Sequence, residues 1–296
     1  MFAQLFAVMA PVIFGAGIGF GWVRLGYTYP TNFVSRLTLN VGTPCLILAK
    51  LPASRVPFDT LQHIIVAMSV TMALLGLVGY ALCYWRKLDW RVFVPAMIFP
   101  NTGNMGLPIS LYAFGNTGFG FAVAIMVIVS LVQFTLGSMT TSRPFYNLVR
   151  TPALYAIFIA LALLKLEMQL PLWLQNSLDL ISGFTIPIML ITLGVSLASI
   201  QAKNIMVGLA FGIFRTVIAI GVALLVGYAF ALSSAQTFQL MLQACMPVAV
   251  YNYLFAQRAG NSPETVASLV LCSTLLSLIY LPIILSVIFT MQGHAH

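Results

Sequence analysis

Ten apolar runs follow one another along this chain, each near the ~20 residues a helix needs to cross the hydrocarbon layer. They occupy 3–23, 32–52, 62–85, 91–114, 117–139, 151–170, 173–198, 204–232, 236–258 and 264–290. The connections are too short to hold a soluble domain. Of the 296 residues 6% are charged, where a soluble domain carries roughly a quarter. A soluble enzyme, a nucleic-acid binder and a disordered chain are therefore excluded: 13 cations spread over this length form no basic patch. The first run follows Met1 without a cationic segment and ends without a small-residue cleavage site, so a retained span is expected. Cys45, Cys83, Cys245 and Cys272 each sit in an apolar run and form no metal-ligand spacing.

The cations orient the spans. Nine of them (Arg24, Arg36, Arg86, Lys87, Arg91, Arg143, Arg150, Lys203 and Arg258) fall on one side, and Lys50, Arg55 and Lys165 on the other. The positive-inside rule puts the richer side in the cytoplasm and both termini outside it. Short loops without a targeting segment suggest a bacterial inner membrane. Arg215 fits neither side. It lies mid-span, where lipid exposure would cost several kcal/mol, so it is expected to face protein or water. There it either ties down backbone carbonyls or acts as a counter-charge or gating contact.

The two halves repeat. Pro44 and Pro187 both stand mid-span before an Ile-Leu stretch, 143 residues apart (187 − 44). Pro100 and Pro247 are 147 apart (247 − 100). Five spans, an odd number, separate the repeats, so 1–140 and 141–296 enter the membrane from opposite sides. The expected fold is all-α and integral to the membrane: ten transmembrane helices in two inverted five-helix repeats, with helices 4 and 9 broken and crossing. Inverted repeats with interrupted helices at matched places point to a midplane substrate site.

The fourth run carries FPNTGNMGLPISLYAFG, residues 99–115, and the ninth QACMPVAVYNYLFA, residues 243–256. Pro100 frees the carbonyl of Ala96, Pro108 that of Asn104 and Pro247 that of Gln243. Backbone freed in this way must be buried in protein or line a polar cavity. A half-helix starting after a break offers amide hydrogens to a carboxylate. One ending there offers carbonyls to a cation or a water. The candidate substrate-binding set is Asn101, Thr102, Asn104, Gly106, Pro108, Gln243, Pro247, Tyr251 and Asn252. The bland alternative is that these polar groups only hold broken helices together. Of the five acids only Asp179 lies well inside a run, so it is the single candidate for ion coupling through a carboxylate. Gly15, Gly17, Gly19 and Gly21 make two GxxxG spacings, a close-packing face for a neighbouring helix or for a second copy in a homodimer.

PNTGNMGLPI, at 100–109, resembles the signature of the auxin efflux carrier family. MPVAVYNYLFAQRAG, VASLVLCSTLLSL, LNVGTPCLILAKL and TIPIMLITLGVSLA are similar to further segments of that family, in the same order. The resemblance implies a ten-span inverted repeat whose fourth and ninth helices cross. It also implies a scaffold part and a transport part that move against each other, and organic anions as cargo: auxin-like weak acids, malate or malonate. The crossing maps to Asn101–Pro108 and Pro247–Asn252. Where plant members carry a second proline late in the ninth-span break, Asn252 stands here. The long cytoplasmic loop of many plant members is absent.

Together these features predict a secondary transporter for a small organic anion, working by alternating access and driven by membrane potential towards export. A sodium- or proton-coupled carboxylate symporter is the alternative, and a sensor using the same pocket without flux is the alternative of another class. A membrane-embedded enzyme is disfavoured, because no acid pair shares a helix face. The expected partners are the anion and the bilayer, with no cofactor, no metal and no nucleic acid.

Overall fold

The structure is a computed structural model that describes residues 2–138, 152–200 and 202–293. Arg143, Arg150, His294 and His296 lie outside the described residues. Among those residues every regular element is helical. The helices are α1 (Phe2–Arg24), α2 (Thr31–Leu37), α3 (Thr43–Lys50), α4 (Phe58–Arg86), α5 (Trp90–Ile98), α6 (Leu107–Ser138) and α7 (Pro152–Lys165). They continue with α8 (Leu172–Gly183), α9 (Thr185–Ser199), α10 (Ile205–Ala229), α11 (Ser234–Ala244), α12 (Val250–Ala259) and α13 (Pro263–Gly293). Among the described residues, six stretches are long and apolar enough to cross a membrane: Ala3–Arg24, Phe58–Arg86, Thr102–Gln133, Leu172–Ser199, Ile205–Ala229 and Pro263–Met291.

The helix surfaces fit a lipid environment. Phe14, Leu180 and Met206 are 72%, 80% and 79% exposed, which water would penalise and acyl chains do not. The four tryptophans, Trp22, Trp85, Trp90 and Trp173, all sit within two residues of a helix end. Amphipathic rings collect at that level of a bilayer. The chain is a multi-pass membrane protein.

Local chemistry sets the helix ends. The Asp89 side chain caps α5 by accepting from Arg91 N. Ser233 and Gln236 form a capping box at the start of α11. Between 91 and 139 the sequence suggests a break at Gly115–Thr117. The helix does turn there, on Gly115 at φ 62° and ψ −154°, a backbone geometry that a side chain would strain.

The chain forms two compact units, and neither follows the sequence halves. One takes Met1–Ala10, Ile65–Thr102 and Ile200–His296, and the other Pro11–Ile64 and Gly103–Ser199. In the first, α10 lies along α13 and α11, and the Phe93 and Phe211 rings meet edge-on at 5.5 Å. In the second, α3 packs on α7 and α8. There the backbones of α1 and α9 touch: a Cβ on Gly19 would lie 1.9 Å from the Ile191 carbonyl oxygen, and one on Gly194 would lie 1.8 Å from that of Ala16. Gly15 faces Leu190 in the same seam, while Gly17 and Gly21 meet nothing within 4 Å. One GxxxG spacing therefore packs within the chain. The second unit also holds a cleft of about 960 Å³ lined by Arg55, Asp59, Lys165 and Glu167 among others.

Candidate functional site

α5 stops at Ile98 because Pro100 cannot donate to Ala96. Phe99 is extended, at φ −101° and ψ 98°. α11 stops at Ala244 before Pro247, and α12 restarts at Val250. The two extended breaks lie side by side and pair as an antiparallel bridge between Pro100 and Val248. Asn101 N donates to the Pro247 carbonyl at 2.8 Å, and Ala249 N donates to the Phe99 carbonyl at 3.1 Å. Each break thus satisfies backbone groups of the other, which a spanning chain must do away from water.

The second break exposes a run of carbonyls at its helix end, and protein donors occupy them one after another. Arg215 Nη2 reaches Ala244 O at 3.4 Å and Nη1 reaches Met246 O at 2.6 Å. The Tyr280 hydroxyl donates to Cys245 O at 2.6 Å. Asn101 N takes Pro247 O. On the other strand, Arg215 Nε donates to Ala96 O at 2.9 Å. The carbonyl that Pro247 was expected to free, that of Gln243, accepts from Cys245 N and Met246 N in a tightened last turn. The sequence offered these carbonyls to a cation or a water. In the folded chain they are already engaged.

Arg215 is 1% exposed, and among the described residues it lies within ion-pair distance of no carboxylate. A full positive charge therefore stands at the bridge, solvated by three carbonyl dipoles. α12 begins beside it with Ala249 at the N-cap position and no side-chain cap, so the positive end of that helix dipole adds to the same field.

The predicted residues divide between the units. Asn101, Thr102, Gln243, Pro247 and Asn252 are all buried and belong with Arg215 in the first unit. The Asn101 Nδ2 is buried without a hydrogen-bond partner. Asn252 Nδ2 lies 3.4 Å from the Phe99 carbonyl and 3.5 Å from that of Pro95, so it supports the break from the α12 side. Tyr251 stands in the first turn of α12 with its ring 6.4 Å from that of Phe255. Asn104, Gly106 and Pro108 fall in the second unit. They are not part of the extended break: Thr102–Gly106 forms one wide π turn that leads into α6, and Pro108 occupies its first turn. The helix runs on from the π turn, so the amide that Pro108 lacks leaves the carbonyls of Gly103 and Asn104 without that helical donor.

Asp179 also lies in the second unit. Its Oδ1 accepts from Lys50 Nζ at 2.9 Å and its Oδ2 from Gln175 Nε2 at 2.8 Å. Sequence reasoning missed three residues of the site. Tyr280 and Ser273, whose hydroxyl accepts from Val248 N at 3.0 Å, looked like ordinary apolar-span residues. Phe99 gave no signal, since its part is played by its backbone.

Broken helices paired inside an apolar helical protein are an arrangement that membrane transporters use. A family model described as "Membrane transport protein" matches residues 4–146 and 139–285. The chain belongs to that family, the auxin efflux carriers. It is similar to an uncharacterized transporter of Methanothermobacter thermautotrophicus, 27% identical over 269 residues, covering 84% of this chain and 86% of the relative. It is also similar to an uncharacterized transporter of Methanocaldococcus jannaschii, 22% identical over 191 residues, covering 60% of this chain and 62% of the relative.

Proposed function

We propose that this chain is a secondary carrier of a small organic anion, a mono- or dicarboxylate of the auxin-like or malate-like class. It works by alternating access, with ten spans arranged as two inverted repeats, 1–140 and 141–296. Both termini lie outside the cytoplasm of a bacterial inner membrane. The observation that carries this reading is the buried Arg215 at the paired breaks, with carbonyls for neighbours and no acid. A site of net positive potential in a low-dielectric span attracts a carboxylate. The Asn101 Nδ2, buried and unpartnered, supplies a donor for it, and the uncapped start of α12 supplies amide hydrogens. Thr102, Tyr251 and Asn252 complete the binding set, and Gln243 and Pro247 shape the break.

An anion leaving a cell that is negative inside runs down the potential, so export needs no second ion. The experiment is uptake of radiolabelled dicarboxylates and indole-type acids into proteoliposomes under an imposed potassium diffusion potential. Flux that follows the potential alone supports the carrier as proposed. Absence of flux for every acid, with binding retained, would mean a sensor. A second reading, sodium-coupled symport, draws on two buried hydroxyls outside the paired breaks, at Thr43 and Thr185. Flux that requires a sodium gradient would favour it.

A further inference from the structure

The second unit contains two other helix irregularities, and both leave oxygen atoms unsatisfied. Between α2 and α3 the chain makes a wide turn at Thr38–Gly42. Thr43 N donates five residues back, to Thr38 O. The next residue, Pro44, has no amide hydrogen. The carbonyl of Leu39 therefore loses its donor four residues on, which is spent on Thr38, and its donor five residues on, which does not exist. Between α8 and α9 the Phe184 N turns back to Ser182 O. Pro187 then deprives the carbonyl of Gly183 of its helical donor.

A buried threonine follows each freed carbonyl in the chain, Thr43 four residues after Leu39 and Thr185 two after Gly183. Thr43 is 2% exposed and Thr185 is 0% exposed, and neither Oγ1 has a hydrogen-bond partner. This departs from the habit of the fold. Thr38, Ser69, Thr71, Ser196 and Ser199 each donate to a carbonyl four residues back. The two irregular turns also meet. Gly42 lies so close to Thr185 that a Cβ there would stand 2.5 Å from the Thr185 Oγ1. A buried polar atom without a partner costs about 1–3 kcal/mol, and here two fall at one helix crossing.

We propose that this crossing is a binding site for a small hard monovalent cation, sodium, held by the hydroxyls of Thr43 and Thr185 and the carbonyls of Leu39 and Gly183. Hydroxyl and carbonyl oxygens are hard, neutral ligands. Unwound backbone and half-helix C-terminal ends are where transporters bind sodium, and α8 presents such an end at Gly183. The site does not depend on which anion is carried. It also differs in kind from the paired breaks, where the carbonyls of 244–247 are taken by protein donors.

The test reads binding without flux, so it stands or falls apart from the carrier reading. Purified protein is melted in sodium chloride and in choline chloride at equal ionic strength, followed by tryptophan fluorescence. The expected result is a saturable upward shift of Tm with sodium only. Thr43→Val and Thr185→Val should each raise the half-saturating sodium concentration at least about tenfold, since one lost ligand worth about 1.4 kcal/mol is a factor of ten. Thr43→Ser and Thr185→Ser, which keep the hydroxyl, should keep the shift. So should Thr38→Val, whose hydroxyl is bonded within its own helix. No sodium-specific shift in the parent protein would overturn the proposal and leave an ordered water only. A shift that survives both valine variants would overturn it as well. If the valine variants fail to fold, loss of the sodium shift in the serine variants decides against it.

Discussion

Arg215 Nε donates at 2.9 Å to the carbonyl of Ala96, a carbonyl that Pro100 leaves without a helical donor. One side chain thus repairs the damage done by a proline 115 residues earlier in the chain (215 − 100). Through its other two nitrogens it repairs the end of α11 as well. The same guanidinium is structural in what it touches and electrostatic in what it offers a substrate.

Replacing Arg215 should therefore damage folding before transport. Arg215→Met removes three donors and strands three buried carbonyls, at about 1–3 kcal/mol each. Against a total stability of about 5–15 kcal/mol, that is enough to remove most of the monodisperse peak in size-exclusion chromatography. Arg215→Lys keeps the charge but cannot span three carbonyls with a compact ammonium. It should recover part of the folded protein at a lower Tm. A monodisperse Arg215→Met protein with an unchanged Tm would contradict the repair role.

Asn101 makes the complementary case. Its backbone is committed to Pro247 while its Nδ2 has no partner, so the side chain can be removed without loosening the bridge. A hydrogen bond to a charged group is worth about 1.5–3 kcal/mol, or about 10- to 150-fold. Asn101→Ala should lower kcat/KM for the anion by that factor at nearly constant Tm. Asn101→Asp should lower it further, because two carboxylates repel. Unchanged flux in Asn101→Ala proteoliposomes would remove this residue from the site.

Gly19 and Gly194 set a packing limit that can be checked without any substrate. At each, a methyl group would lie under 2 Å from a backbone oxygen of the facing helix, so α1 and α9 must separate to accept it. Overpacking typically costs about 1–3 kcal/mol, and a rigid backbone contact belongs at the upper end. Gly19→Ala and Gly194→Ala should lower Tm clearly. Gly17→Ala and Gly21→Ala, with nothing within 4 Å, should leave it unchanged or raise it slightly through better helix propensity. Equal effects at all four positions would argue against the seam.

These contrasts show what the sequence could and could not disclose. Prolines act locally, so the loss at Ala96 was readable from Pro100 by counting four residues back. Arg215 was readable as a charge out of place, but its partners were not, because they are backbone groups on two other segments. The pairing of Phe99 with Ala249 joins residues 150 apart (249 − 99), and nothing local encodes it. Asn104, Gly106 and Pro108 looked like part of the break because glycine and proline crowd there. They lie instead in the π turn and the first residues of α6, which continue as helix where the composition suggested extended chain. The stripe at Gly15–Gly21 was readable as a packing face, though not which of its two spacings meets a neighbour.

Asp179 provides the last check, on ion coupling. A carboxylate that takes up and releases protons during transport needs to lose its partners in part of the cycle. In this fold one Asp179 oxygen is held by Lys50 and the other by Gln175, and the side chains of the ion pair are 32% and 41% exposed. A partly exposed pair of this kind contributes about 0–1 kcal/mol. Asp179→Asn keeps an acceptor for Lys50 while removing the titrating group. It should leave the pH dependence of flux unchanged and shift Tm by no more than a few degrees, as should Lys50→Met. If Asp179→Asn instead flattened the pH profile while Lys50→Met preserved it, the carboxylate would be carrying protons, and the potential-driven reading would give way to proton coupling.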